Sequence, residues 1–216
     1  MIRGESRIRR LAVALALAMA VPAAIAGAED EPRETFNAFA VNMGTIHTGS
    51  TTTLQINITR WSTDEERAKL FTTIVEKDQK DIIDVLQNME ETGWVRLDHR
   101  PDMAGVHPHR GSFRRPVGPT HKTFPSERLR YAREFKVEDK RRIVLALDRP
   151  IPYWEAVGQP RTIDYPLTLI VLDVDAKGDG EGQLALGVQL TFDRENQRLE
   201  IENLSSEPIR LTSVHK

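Results

Sequence analysis

The sequence predicts an α+β fold: one mainly antiparallel sheet, laid out as a sandwich or curled into an open barrel, with one or two helices packed on one face. Three observations carry that expectation. Leu54, Ile56 and Ile58 alternate with Gln55, Asn57 and Thr59, the period-two pattern of a strand with one buried and one wet face. Ser62-Thr63-Asp64-Glu65-Glu66 is a helix start, followed by an apolar stripe at Leu70, Phe71, Ile74 and Val75. The last third is a series of apolar runs separated by polar turns, the first of them rich in glycine.

The first 28 residues read as a secretory signal peptide. Arg3, Arg7, Arg9 and Arg10 precede an apolar run over 11–21, Pro22 breaks it, and small residues follow at Ala24, Ala26 and Ala28. The run is shorter than the roughly 20 residues a spanning helix needs, and no second such run follows, so the mature chain is expected to carry no transmembrane span. Residues 29–34 are charged and include Pro32, which suits a flexible lead-in. A single domain is expected over 35–216, since about 190 residues suffice for one core.

Within that domain, residues 36–43 and 51–61 read as a hairpin closed by the glycine-flanked connection 44–50. The polar run 77–81 interrupts the helical stripe before Ile82, Ile83, Leu86 and Met89 resume it, which predicts two helices with a break near Asp78. A strand is expected at 93–97. Residues 98–125 carry Pro101, Pro108, Pro116, Pro119 and Pro125 and almost no apolar periodicity, the pattern of a long loop. Strands are expected again at 128–135 and 141–147, and one helical turn at 152–156. Residues 164–173 are apolar on both alternating sets in their middle, as in a strand covered on both faces. Across a turn at 175–182, residues 183–192 place Leu184, Leu186, Val188, Leu190 and Phe192 on one face, and strands at 198–203 and 208–214 complete a meander.

Composition excludes several function classes. Hydrophobic residues are 39% and charged residues 29% of the 216-residue chain, ordinary for a globular protein. A formal net charge of -2 argues against a nucleic-acid binder, which needs a basic excess to replace counterions. With 0 cysteines, a disulfide framework, a thiolate metal site and a cysteine nucleophile are impossible.

The segments FNAFAVNMGTIHTGST (36–51), RWSTDEER (60–67), LDRPIPYWEA (147–156) and QPRTIDYPLTLIVLDVDAKGDGEG (159–182) keep one order along the chain. In them the sequence resembles an uncharacterised group of exported bacterial proteins with no established activity. The resemblance implies export to the periplasm or the exterior and supplies no mechanism. The histidine-rich stretch 99–122 looks like an addition to that pattern.

Four groups of residues could carry chemistry. His99, His107, His109 and His121 lie in or beside the long loop, and imidazole is the commonest side-chain metal ligand. Arg100, Arg110, Arg114, Arg115 and Lys122 crowd the same stretch against Asp102 alone, which opposes a divalent cation and favours a solvated flexible loop or contact with an anionic surface. No metal and no cofactor are therefore expected. The acids of 173–181 fail the calcium-loop pattern, with Lys177 at the fifth position and Leu184 at the twelfth, and read as a turn between strands. His47 sits among Thr45, Thr48, Ser50 and Thr51, the parts of a hydrolytic site without any of its confirming motifs. Arg149, Tyr153, Trp154, Glu155 and Arg161 combine aromatic, cationic and carboxylate groups, which suits a ligand rim or a structural corner. With His47, these five are the expected ligand-binding residues. The expected role is non-catalytic binding of a protein partner or small ligand; the alternative is a secreted hydrolase or metal-dependent enzyme using His47 or the histidine-rich loop.

Overall fold

A computed structural model describes residues 34–43, 49–77, 79–99, 122–153, 165–193, 198–203 and 208–216. The predicted signal peptide and most of the histidine-rich stretch lie outside these residues. Strands β1 (Glu34–Val41) and β2 (Thr51–Ile58) precede helices α1 (Asp64–Glu76) and α2 (Gln79–Gln87). Strands β3 (Gly93–His99), β4 (Lys122–Thr123), β5 (Glu127–Leu129), β6 (Tyr131–Val137), β7 (Lys140–Leu147), β8 (Thr168–Val174) and β9 (Gly180–Leu186) follow. The chain ends with β10 (Val188–Asp193), β11 (Arg198–Asn203) and β12 (Ile209–His215).

All strand pairings but one hairpin belong to a 10-stranded antiparallel sheet ordered β4-β3-β2-β1-β12-β9-β8-β7-β6, with β5 on β3. The two ends of that order meet. Residues 128–135, read from sequence as one strand, are split at Arg130 and change partner there: Leu129 pairs with Gly93 of β3, and Tyr131 pairs with Ala146 of β7. The Thr92 N–H donates to the Leu129 carbonyl at 2.9 Å, and the Arg130 N–H donates to the Ala146 carbonyl at 3.0 Å. The sheet thus curls into a nearly closed barrel, the open-barrel form of the expected α+β fold.

Alternation sets what fills the barrel. Phe36, Leu54, Val95, Leu145, Ile170 and Leu211 point inward and are at most 1% exposed. Each such side chain contributes about 2 kcal/mol relative to remaining in water. Outside β7 and β8 a second cluster forms, in which Leu70, Ile82 and Leu86 of the helices cover Ala146 and Leu169. Leu169 faces this layer and Ile170 faces the barrel, which is why β8 reads as apolar on both sets.

The helices begin where the sequence places them. Thr63 Oγ1 accepts from the Glu66 N–H at 3.2 Å and a Glu66 carboxylate oxygen accepts from the Thr63 N–H at 2.9 Å, a reciprocal cap. Extended backbone at Lys77 separates α1 from α2. Ser62 does other work: its N–H donates to the Ala132 carbonyl at 2.8 Å and its Oγ accepts from the Ala132 N–H at 3.1 Å, fastening the helix entrance to β6.

The expected meander is corrected in three places. The turn after β8 occupies only 175–179, since Gly180-Glu181-Gly182 already pair as strand. The expected strand 183–192 breaks at Gly187, whose φ of 65° is a left-handed conformation that glycine adopts without steric cost. Leu184 and Leu186 consequently face the barrel, whereas Val188 and Leu190 join the helical layer. There the Gln79 side chain accepts from the Leu190 N–H at 3.0 Å and donates to the Val188 carbonyl at 3.1 Å, so one amide completes the β10 edge as a neighbouring strand would. Strands β10 and β11 form their own two-stranded sheet, and β12 returns between β9 and β1.

Arg60 makes two hydrogen bonds to the Glu66 carboxylate, at 2.9 and 3.0 Å, and reaches the Glu90 carbonyl at 2.8 Å. These arginine bonds hold the Glu66 carboxyl below its usual range. A lowered folded pKa gives stability that is present above the unfolded carboxylate range, near about 4.3, and is lost as the pH falls through the lower folded value. Glu66→Ala leaves the Thr63 side-chain cap but removes its reverse half, the carboxylate that accepts from the Thr63 N–H, together with the Arg60 pairing, and should cost about 1–2 kcal/mol in denaturant unfolding at neutral pH. The deficit relative to the parent chain should shrink in acid.

Candidate functional site

Register decides which connections share an end of the barrel. Val41 lies opposite both Thr51 and Arg210, and Thr53 lies opposite Asp98. Leu147 lies opposite Thr168, which lies opposite Leu186. One end of the barrel therefore carries the last residues of β1, β3, β7 and β9 and the first residues of β2, β4, β8 and β12. The described strand ends that flank 44–48 (around His47), 100–121 (the histidine-rich stretch) and 154–164 (with Trp154, Glu155 and Arg161) all lie at that end.

The described residues at this end are tied together. Tyr153 Oη donates to the Ser50 carbonyl at 2.9 Å, joining the segment after β7 to the β1–β2 connection. Asn42 N–H donates to the same Ser50 carbonyl at 3.0 Å, and the Gly49 N–H donates to the Asn42 carbonyl at 2.8 Å. Thr52 Oγ1 donates to the Asp98 carbonyl at 3.2 Å, fixing the point where β3 ends. The Tyr153 ring is buried with Ile151 in the interior cluster, so it plugs the barrel mouth. Burial pushes its hydroxyl above the usual tyrosine range, because the charged phenolate would lose its water.

Beside the plug, at the seam where the barrel closes, Asp148 is 3% exposed. Its carboxylate lies between Arg149 Nε at 3.3 Å and Arg130 Nε at 3.7 Å. A carboxylate withdrawn from water needs such cations close by. The bond to Asp148, with Glu127 Oε2 at 3.7 Å, raises the Arg149 pKa. Half of the Arg149 side chain remains in solvent.

Of the six expected ligand-binding residues, Arg149 and Tyr153 are described: the first spans the seam at the surface and the second plugs the mouth. His47, Trp154, Glu155 and Arg161 lie outside the described residues, as do His107, His109 and His121. His99 pairs with Lys122 at the start of the histidine-rich stretch. Among the described residues, no group of three histidines or acids is placed to hold a metal ion, and no helix is long and apolar enough to cross a membrane. The acids of 173–181 serve structure. Asp173 makes a two-bond pair with Arg142, Asp175 accepts from the Lys177 and Asp179 N–H groups, and Glu181 pairs with Arg210.

Asp148 and Ser50 lie in segments that the sequence marks, Asp148 at the start of 148–155 and Ser50 among the hydroxyls near His47, but their structural roles are not legible in it. Asp148 gave a faint signal, a lone carboxylate directly after the apolar strand 141–147; Ser50 acts through its backbone, which no side-chain pattern reports.

Tyr153→Phe removes the bond from the hydroxyl to the Ser50 carbonyl and should lower stability by about 1 kcal/mol at neutral pH. Burial also raises the Tyr131 hydroxyl to about 12. A tyrosine whose folded pKa lies above its unfolded value of about 10 adds stability that is fully present below that value and lost as the pH rises through the folded pKa. Denaturant midpoints should therefore fall between about pH 10 and 12, and fall less steeply in Tyr153→Phe.

Comparison with protein-family models, with curated proteins and with solved structures finds no match for this chain.

Proposed function

We propose that the chain is an exported, non-catalytic binding protein that meets a protein partner or small ligand at the loop-bearing end of its barrel. The bond from Tyr153 to Ser50 carries this reading: it ties together the segments that lead to His47 and to Trp154 and Glu155, at the end where β3 stops and β4 starts, on either side of the basic stretch 100–121. Three further features support it. The inward positions are filled by large side chains, Phe36, Leu54 and Tyr153 among them, so the rim is favoured over the interior for contact. The tight ion pairs of the described residues, Arg60 with Glu66, Arg141 with Glu34 and Arg142 with Asp173, tie elements together. The charged start, apolar run and small residues of 1–28 support export.

Expression of the full chain in a bacterium, with mass determination of the product outside the cytoplasm, tests the export half. The reading expects a chain beginning at Gly27 or Glu29 and contradicts an intact chain retained in the cytoplasm. The purified mature protein should turn over no substrate in a broad hydrolase panel. Turnover abolished by His47→Ala would replace this reading with a secreted hydrolase.

A further inference from the structure

We infer that the outer face of β1, β2 and β3 is a binding surface for a neutral saccharide chain, separate from the loop end. Outward positions of β1 and β2 are Thr35, Asn37, Phe39 and Val41, and Thr51, Thr53, Gln55 and Asn57. None of these is charged, in a chain with 29% charged residues, and the outward positions of β3 beside them are Trp94, Arg96 and Asp98, one cation and one anion. Elsewhere on the barrel, outward positions hold cross-strand ion pairs, Arg142 with Asp173 and Arg210 with Glu181.

The residues of this face are connected in rows. Arg96 Nη2 donates to Gln55 Oε1 at 2.7 Å, and Gln55 Nε2 donates to Asn37 Oδ1 at 3.4 Å, a relay across three strands. One row away, Asn57 Nδ2 donates to Thr35 Oγ1 at 2.8 Å, and the Arg96 guanidinium lies 5.4 Å from the centre of the Trp94 ring. These bonds orient the amides and leave each with donor or acceptor capacity, since a side-chain amide offers two N–H groups and two lone pairs. In the next row the other way, Phe39 stands between Thr53 and Thr212 and is 46% exposed.

The chemistry selects the ligand. Strand addition is closed off, because β1 is paired on both sides and so is β2. A nucleic acid or other polyanion would need several unpaired cations, and this face offers Arg96, already bonded to Gln55 and offset by Asp98 on the same strand. A sugar ring presents hydroxyls that donate and accept at once and a C–H face that packs on an aromatic ring. Amides held in a row beside an exposed Phe39 match both features, along a diagonal of roughly 16 Å from Trp94 to Phe39 set by strand rise and spacing.

Calorimetric titration of the whole mature protein with cello-, chito-, malto- and laminari-hexaose tests this. The proposal expects saturable binding of at least one, insensitive to added salt, and weakened about tenfold or more by Phe39→Ala and by Gln55→Ala, as loss of one stacking or hydrogen-bonding partner implies. Arg142→Ala, on a different part of the barrel, should bind as the parent does. Thermal unfolding checks that each variant is folded; if Phe39→Ala is not, Asn37→Asp puts a charge into the neutral relay and should weaken binding likewise. No saturable binding of any of these saccharides overturns the proposal, as does binding that salt abolishes or that all three face variants leave intact. Self-association through Phe39 without saccharide binding also overturns it. The face uses none of segments 44–48, 100–121 and 154–164, so either proposal can fail while the other stands.

Discussion

A sheet of this length has two edges, and in this chain they are satisfied by one stretch of backbone that serves both. Glu127 to Leu129 bond to β3, then Tyr131 to Val137 bond to β7, with Arg130 between them. Without that change of partner, the N–H and C=O groups along β3 and β7 would lie open, and the inward side chains would face water instead of one another. Closure is thus the condition for the interior cluster. It is also the condition for the loop end, because only a curled sheet brings the connection after β7 against the one between β1 and β2, where Tyr153 meets Ser50.

The helical layer is fastened to the same seam. Ser62 pairs with Ala132, Arg133 reaches the Ser62 carbonyl at 2.8 Å and Asp64 at 2.6 Å, and Arg130 donates to the Met89 carbonyl at 3.3 Å. Arg60 and Glu66 draw the start of α1 to the chain after α2. In the RWSTDEER segment, Arg60, Ser62, Thr63, Asp64 and Glu66 are accounted for by these contacts, so the motif that looks most like a signature is a clamp. Exposed ion pairs within it contribute little singly, typically under about 1 kcal/mol. Together they tie the start of α1 to β6 and to the chain after α2, beside the cluster in which Leu70, Ile82 and Leu86 pack on the sheet.

Local structure was legible wherever it depends on local spacing. The alternation of Leu54, Ile56 and Ile58, the reciprocal cap at Thr63 and Glu66, and the double apolar set of β8 follow from side-chain periodicity and from hydrogen bonds between near neighbours. What could not be read was partner choice. The run 128–135 alternates without marking that it changes neighbours at Arg130, since period two records burial and not which strand lies alongside. The even spacing of Leu184 to Phe192 concealed Gly187, where the chain leaves one apolar cluster for another. The return of β12 between β9 and β1 is a contact distant in sequence that no local signal carries. The same limit applied to the candidate site. Residue types marked Arg149 and Tyr153, yet only the register places them at the end shared with segments 44–48 and 100–121, and only packing turns Tyr153 inward.

Hydrogen exchange at the seam tests closure most directly. If residues 127–137 close the barrel, the N–H groups of Thr92 and Arg130, bonded to Leu129 and Ala146, should exchange only on global unfolding, with the same protection as amides in the middle of β8. Exchange of Thr92 and Arg130 at rates typical of a fraying edge, while β8 stays protected, would mean an open sheet and would contradict the arrangement on which the loop end depends.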